Sequence, residues 1–138
     1  MSDKKILIVD DDEDLVLGLG IRLRAYGYQV LSAMDGVTAI AVAQREVPEL
    51  VLLDLGLPAG DGYWVLERMK SLVTLAGIPV IVLSARDPSS NKERARKAGA
   101  LAFFPKPVEN EILAAAIRKV IDGGSPRKDS GALAGVAG

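Results

Sequence analysis

The sequence predicts a single α/β domain built on a parallel sheet, and three observations carry that reading. Short aliphatic runs of strand length alternate five times with longer segments of helical periodicity, the pattern of consecutive βα units. Runs such as Ile6-Leu7-Ile8-Val9, Leu50-Val51-Leu52-Leu53 and Val80-Ile81-Val82-Leu83 are continuous, as expected of parallel strands covered on both faces. The chain has 138 residues, enough for one domain with a real core and too few for two of ordinary size.

The strands are expected over about 4–9, 28–33, 49–54, 78–83 and 101–104. In the first helix Leu15, Leu19 and Leu23 form an i, i+4, i+8 stripe, and in the fifth Val108, Ile112, Ala116 and Val120 do the same. Gly27 closes the first helix, Pro48 ends the second, and Gly99 follows Lys97 at the end of the fourth. Two starts compete for that fourth helix: a capping box over Ser90 and Glu93, and the pair Asp87-Pro88. From Gly123 onward the chain is rich in glycine and poor in large apolar residues. Residues 1–122 are therefore expected to form the domain, and 123–138 a flexible tail or a severed linker.

Composition narrows the function. Formal net charge is −1, so no global basic field recruits nucleic acid or an anionic membrane. With neither cysteine nor histidine, disulfides and the usual zinc ligands are excluded, and any metal must be held by oxygen. No apolar stretch approaches the roughly 20 residues of a membrane span, and the N-terminus lacks a signal-peptide apolar region. A soluble cytoplasmic protein is expected.

Four polar positions terminate apolar runs: Asp10-Asp11, Asp54, Ser84 and Lys106. In a parallel sheet such run ends lie along one edge, so carboxylates, a hydroxyl and a lysine would share one cleft. Asp10, Asp11 and Asp54 would repel one another unless a proton or a cation compensates them, and Mg²⁺ suits an all-oxygen site that leaves room for phosphate oxygens. Asp12 and Glu13 read as solvated partners of the first helix dipole. Asp54 lies between Leu53 and Leu55, a poor setting for a merely solvating carboxylate, the bland alternative being a turn cap before Gly56. Lys106 stands between Pro105 and Pro107, which stiffen the backbone, and a cis Lys106–Pro107 bond would help aim the ammonium. Ser84 reads either as an end-of-strand cap or as a donor to a phosphoryl oxygen.

Together these residues resemble the receiver domain of two-component response regulators, over about residues 4–121. Asp10-Asp11 looks like the family's acidic pair, Asp54 like its phosphoacceptor, Ser84 like its Ser/Thr and Lys106-Pro107 like its lysine motif. Leu57-Pro58 and Asp61-Gly62 match the loop that follows the phosphoacceptor. The resemblance implies a doubly wound, flavodoxin-like (βα)5 fold with strand order 2-1-3-4-5. It implies that Asp54 accepts a phosphoryl group from a sensor histidine kinase, a phosphotransfer protein or a small phosphodonor, with self-catalysed phosphorylation and dephosphorylation but no other enzyme activity. Asp11, Asp54 and the Gly56 backbone carbonyl would hold Mg²⁺ directly, Asp10 would act through a water, and Lys106 would pair with a phosphoryl oxygen. Ser84 and an aromatic on the fifth strand would form the switch, and here that aromatic is Phe103, whose rotamer must be selected by packing alone because it has no hydroxyl. Gly56 and Arg86 lie where the family varies access of the hydrolytic water. The surface of the fourth helix, fifth strand and fifth helix is expected to meet an effector protein or a second receiver.

Other features have plainer readings. Trp64 falls at an outward position of the third helix, where it offers a partner contact or a local cation–π contact with Arg68 at i+4. Leu72-Val73-Thr74-Leu75-Ala76 is more apolar than an ordinary loop, as if it extended the third helix or covered the sheet edge. Lys92, Arg94, Arg96 and Lys97 read as a solvated helix face rather than a nucleic-acid patch. Three functions compete with a phosphoacceptor module. A phosphorylation-independent binding module would not need the full residue set. A Mg²⁺-dependent phosphohydrolase would carry an acid–base aspartate where Gly56 stands. A flavin carrier would need a Ser/Thr/Gly-rich phosphate loop after the first strand.

Overall fold

The computed structural model describes residues 4–123, so the expected tail beyond Gly123 lies outside the described residues. Five strands alternate with five helices: β1 (Lys5–Val9), α1 (Glu13–Ala25), β2 (Gln29–Ala33), α2 (Gly36–Glu46), β3 (Leu50–Leu53), α3 (Gly62–Ser71), β4 (Val80–Ser84), α4 (Pro88–Lys97), β5 (Ala102–Pro105) and α5 (Asn110–Asp122). The strands form one sheet of order β2-β1-β3-β4-β5, with every pair parallel. The expected strands agree to within two residues, β4 starting later than expected and taking in Ser84.

The aliphatic runs divide by parity because successive strand residues face opposite sides. Leu7, Val9, Val51, Leu53, Val82 and Phe103 point into one core, shared with α2, α3 and Ala95 of α4. Ile6, Ile8, Leu50, Leu52, Ile81 and Leu83 point into the other, shared with Leu23 of α1 and Leu113, Ile117 and Val120 of α5. Covering both faces explains the unbroken apolar runs, each buried Leu or Ile contributing about 1.5–3 kcal/mol.

Several local expectations are corrected. The start of α4 goes to Asp87-Pro88: the Asp87 carboxylate accepts from the Ser89 N–H at 3.2 Å and from the Ser89 and Ser90 hydroxyls at 2.8 and 3.1 Å, with Pro88 in the first turn. The capping box does not form, because Glu93 is engaged by Arg96. In the fifth helix Val108 precedes the first turn and Ile112 is 49 % exposed. The helix begins only at Asn110, and the run Ile112-Leu113-Ala114-Ala115-Ala116-Ile117 is apolar on several sides, so Leu113, Ala116, Ile117 and Val120 take the core. The Leu72–Ala76 segment does not extend α3, which ends at Ser71. Leu75 inserts into the core, while Val73 is 94 % exposed.

Helix ends otherwise follow their punctuation. Tyr26 caps α1 and Gly27 follows at φ 98°. Val47 ends α2 at φ 46° with its N–H on the Ala43 carbonyl at 2.8 Å, because the residue before Pro48 is barred from continuing the helix. At the pole where the strands begin, Lys4 lies 3.9 Å from Asp122, the Tyr28 hydroxyl donates to Asp122 at 3.2 Å, and the Gln29 N–H donates to the Lys4 carbonyl at 2.9 Å. The start of the described chain and the end of α5 therefore meet at that pole.

Candidate functional site

Because all strands run the same way, their C-terminal ends share one edge, and the backbone ladder continues one step past them. The Asp10 N–H donates to the Ala33 carbonyl at 3.1 Å, the Asp54 N–H to Val9 at 2.9 Å and the Lys106 N–H to Ser84 at 2.9 Å. Those bonds fix the candidate site residues at the ends of strands adjacent in the order β1-β3-β4-β5. Asp10, Asp11 and Asp54 each present a carboxylate oxygen within 4.8 Å of the other two, the only such group of potential metal ligands among the described residues.

Lys106 closes the cluster. Its Nζ donates to Asp10 Oδ2 at 2.7 Å and stands 3.7 Å from Asp54 Oδ1, and the peptide bond to Pro107 is cis. Asp10, almost wholly buried, also accepts from the Asp12 N–H at 3.0 Å. Asp12 in turn caps α1, accepting from Asp14 and Leu15, and is exposed, as expected of a helix-dipole partner. Asp54 is 9 % exposed, and its carboxyl is held above the usual carboxylate range. Burial is the main cause and the neighbouring Asp10 charge adds to it, against the opposing pull of Lys106 and a hydrogen bond from the Gly56 backbone. Burial would push the Lys106 ammonium down, but the Asp10 hydrogen bond and the charges of Asp54, Asp10 and Asp12 together raise it. Lys106 is thus firmly cationic and Asp54 reluctant to ionise without further positive charge.

Ser84 is fully buried at the end of β4, where its Oγ accepts from the Arg86 N–H at 3.0 Å. That bond leaves the hydroxyl hydrogen free to donate elsewhere. Gly56 lies between the carboxylate and Arg86: a Cβ there would stand 3.9 Å from Asp54 Oδ2 and 4.0 Å from Arg86 Nε. Phe103 is 4 % exposed, its ring packed in the core with Ala95 and Ala100.

The structure thus gathers Asp10, Asp11, Asp54 and Lys106 directly, with Gly56 beside Asp54, Arg86 beside Gly56, and Ser84 buried at the end of the adjacent strand β4. Trp64 lies outside the cluster, its ring over Gly60 and the Arg68 guanidinium 5.8 Å from its centroid, which is the local contact anticipated. The basic residues of α4 are not simply a solvated face: Arg96 pairs with Glu93 at 2.6 Å, and Arg94 stacks on Tyr63 with its guanidinium carbon 3.7 Å from the ring centroid. That stacking was not foreseeable, because Tyr63 and Arg94 belong to different helices and share no sequence pattern.

A fold of this order with acidic residues after β1, an aspartate after β3 and a lysine after β5 defines a class of signalling module, and comparison identifies it. The chain belongs to the response regulator receiver domain family, whose model matches residues 6–118. Such domains act in two-component systems, accept a phosphoryl group on an aspartate, and interact with histidine kinases or phosphotransfer proteins. Response regulator PleD of Caulobacter vibrioides is 38 % identical over 96 % of this chain, which spans only 30 % of that relative's length. Protein PilH of Pseudomonas aeruginosa is 33 % identical over 86 % of this chain and 98 % of its own length. Among solved structures, the receiver domain of a sensor histidine kinase from Pseudomonas aeruginosa PAO1 superposes with a TM-score of 0.80 at 26 % identity, over 88 % of this chain and 99 % of that one. That structure holds a magnesium ion coordinated in its active site cleft. Among the described residues, no helix of this chain is long and apolar enough to cross a membrane.

Proposed function

We propose that Asp54 is the phosphoacceptor of this chain, taking the phosphoryl group of a histidine kinase, a phosphotransfer protein or a small phosphodonor. The observation that carries the reading is the convergence of three carboxylates and one lysine on the sheet edge, within 4.8 Å for the carboxylates and 3.7 Å for Lys106 and Asp54. In the transfer, an Asp54 oxygen attacks phosphorus, the bond from phosphorus to the donor's imidazole nitrogen breaks, and the ring keeps the electron pair and takes up a proton. Lys106 faces the oxygens on which negative charge is held, and the Ser84 hydroxyl has its hydrogen available for one of them. Water later attacks the same phosphorus in line and returns the free carboxylate.

The donor set fits a hard divalent cation. It is all oxygen, it crowds three acidic groups, and Asp54 is disfavoured as an anion until positive charge is added. Asp11, Asp54 and the Gly56 carbonyl would hold Mg²⁺, with Asp10 acting through a water while keeping its bond to Lys106. Bound Mg²⁺ supplies charge neutralisation and a template for phosphoryl oxygens. Phosphorylation would then draw Ser84 toward the phosphoryl group and reset Phe103 by packing, remodelling the surface of α4, β5 and α5 for an effector or a second receiver. This reading places the protein in the cytoplasm with its kinase, makes residues 1–122 the working module, and gives it no activity beyond its own phosphorylation and dephosphorylation. It is preferred to phosphohydrolysis because Gly56 offers no acid–base side chain, and to passive binding because the complete charged set is assembled.

Intact mass after incubation with a small phosphodonor tests it. One phosphoryl adduct, dependent on Mg²⁺ and absent from Asp54→Ala, is the expected result. A folded protein that gains no adduct would overturn the proposal in favour of a phosphorylation-independent module.

A further inference from the structure

Helix α4 is weakly anchored by its own sequence. Eight of its ten residues are polar (Ser89, Ser90, Asn91, Lys92, Glu93, Arg94, Arg96 and Lys97), and only Ala95 is buried. A single alanine gives little apolar burial, and a ten-residue helix is marginal without tertiary support. Support comes instead from Tyr63 on α3. The Tyr63 hydroxyl donates to Asn91 Oδ1 at 2.7 Å, and its ring carries the Arg94 guanidinium at 3.7 Å, so two successive turns of α4 rest on one side chain. The Asn91 amide is set for this role by its other end, which donates to the Asp87 carbonyl at 2.9 Å.

The two partners differ in how they are tied down. Tyr63 follows Gly62, whose N–H bonds the Leu55 carbonyl at 2.9 Å and which packs so tightly that a Cβ would collide with the backbone of Asp54 and Leu55. Tyr63 is therefore fixed to the chain that leaves the phosphoacceptor. Asn91 belongs to the segment that leaves Ser84: the Arg86 N–H is held by the Ser84 hydroxyl, and Asp87 caps α4 and is bonded to Asn91. Ser84, Arg86 and Asp87 thus form one bonded run from the end of β4 to Asn91, and Tyr63 grips that run from the α3 side.

We propose that Tyr63 is a latch that holds α4 in its unphosphorylated position and that phosphorylation must open. The latch rests on Asp54 being the phosphoacceptor, but its first half is testable without phosphate. A state that is disfavoured by a contact becomes more populated when the contact is removed, and a ligand selecting that state then binds more tightly by the same factor. Tyr63→Phe keeps the ring and the Arg94 stacking and removes only the hydroxyl.

The experiment compares amide hydrogen exchange in the natural sequence, Tyr63→Phe, Asn91→Ala and the double variant, followed by titration with beryllium fluoride and Mg²⁺ as a phosphoryl mimic. In unphosphorylated protein, exchange in α4 is expected to speed by about three- to tenfold in either single variant, with no further gain in the double and no change in β1 and β3. Beryllium fluoride is expected to bind Tyr63→Phe more tightly by the same factor. Unchanged exchange in α4 overturns the latch. Faster exchange with unchanged beryllium fluoride affinity overturns its coupling to phosphorylation. Failure of every chain to bind beryllium fluoride overturns the phosphoacceptor reading and the coupling with it, while the exchange data alone then decide whether Tyr63 restrains α4.

Discussion

Asp54 stands beside Asp10 with little solvent around it, and the cation paired with it, Lys106, is closer to Asp10 than to Asp54. Its raised pKa has a definite sign for stability. A carboxyl whose folded pKa exceeds its unfolded value adds stability below the unfolded value, and that contribution is lost as pH rises through the folded one. At about pH 7 the ionised group therefore weakens the metal-free fold. Asp54→Asn, which keeps the shape without the charge, is expected to raise the thermal midpoint there, with the gain shrinking at about pH 3. Melts across that range check it, and a lower midpoint at neutral pH contradicts it. Mg²⁺ should raise the midpoint of the natural sequence more than that of the variant. Lys106 behaves oppositely with respect to charge: its raised pKa contributes stability that is complete below the ordinary lysine value and disappears as pH climbs through the folded one.

At the scale of single elements, α5 and the β3–α3 loop offer the sharpest contrasts. Ile112 and Leu113 are adjacent, yet only Leu113 faces the core. Leu113→Ala is expected to cost about 2–5 kcal/mol and Ile112→Ser under about 0.5 kcal/mol, a difference measurable by denaturant unfolding. Leu75→Ala belongs with Leu113→Ala, despite its place in a connecting segment. The loop before α3 is pinned by a close approach: the Gly36 and Val37 N–H groups donate to Pro58 and Ala59, and a Cβ on Gly36 would collide with the Gly60 carbonyl. Gly36→Ala should therefore cost about 1–3 kcal/mol by overpacking, read in the same unfolding series.

For the molecule as a whole, the parallel sheet and its charged edge were legible because both are written locally: unbroken aliphatic runs name the strands, and the residue after each run must fall at the edge. Strand order was not in those runs and came from the resemblance. The face of α5 was misread because a run apolar on several sides has no unique stripe, and the start of α4 was ambiguous because Ser90 and Asp87 both carry capping side chains. Contacts between helices, Tyr63 with Asn91 and Arg94 above all, leave no periodic trace and could not be read at all.

The meeting of Lys4 with Asp122, under Tyr28, places both ends of the described chain at the pole away from the carboxylates. Fused neighbours would accordingly enter and leave on the blind side of the module, without shadowing the face that carries the carboxylates. A circular permutant that joins these ends with a short linker and opens the chain at exposed Val73 should fold and still take up phosphate.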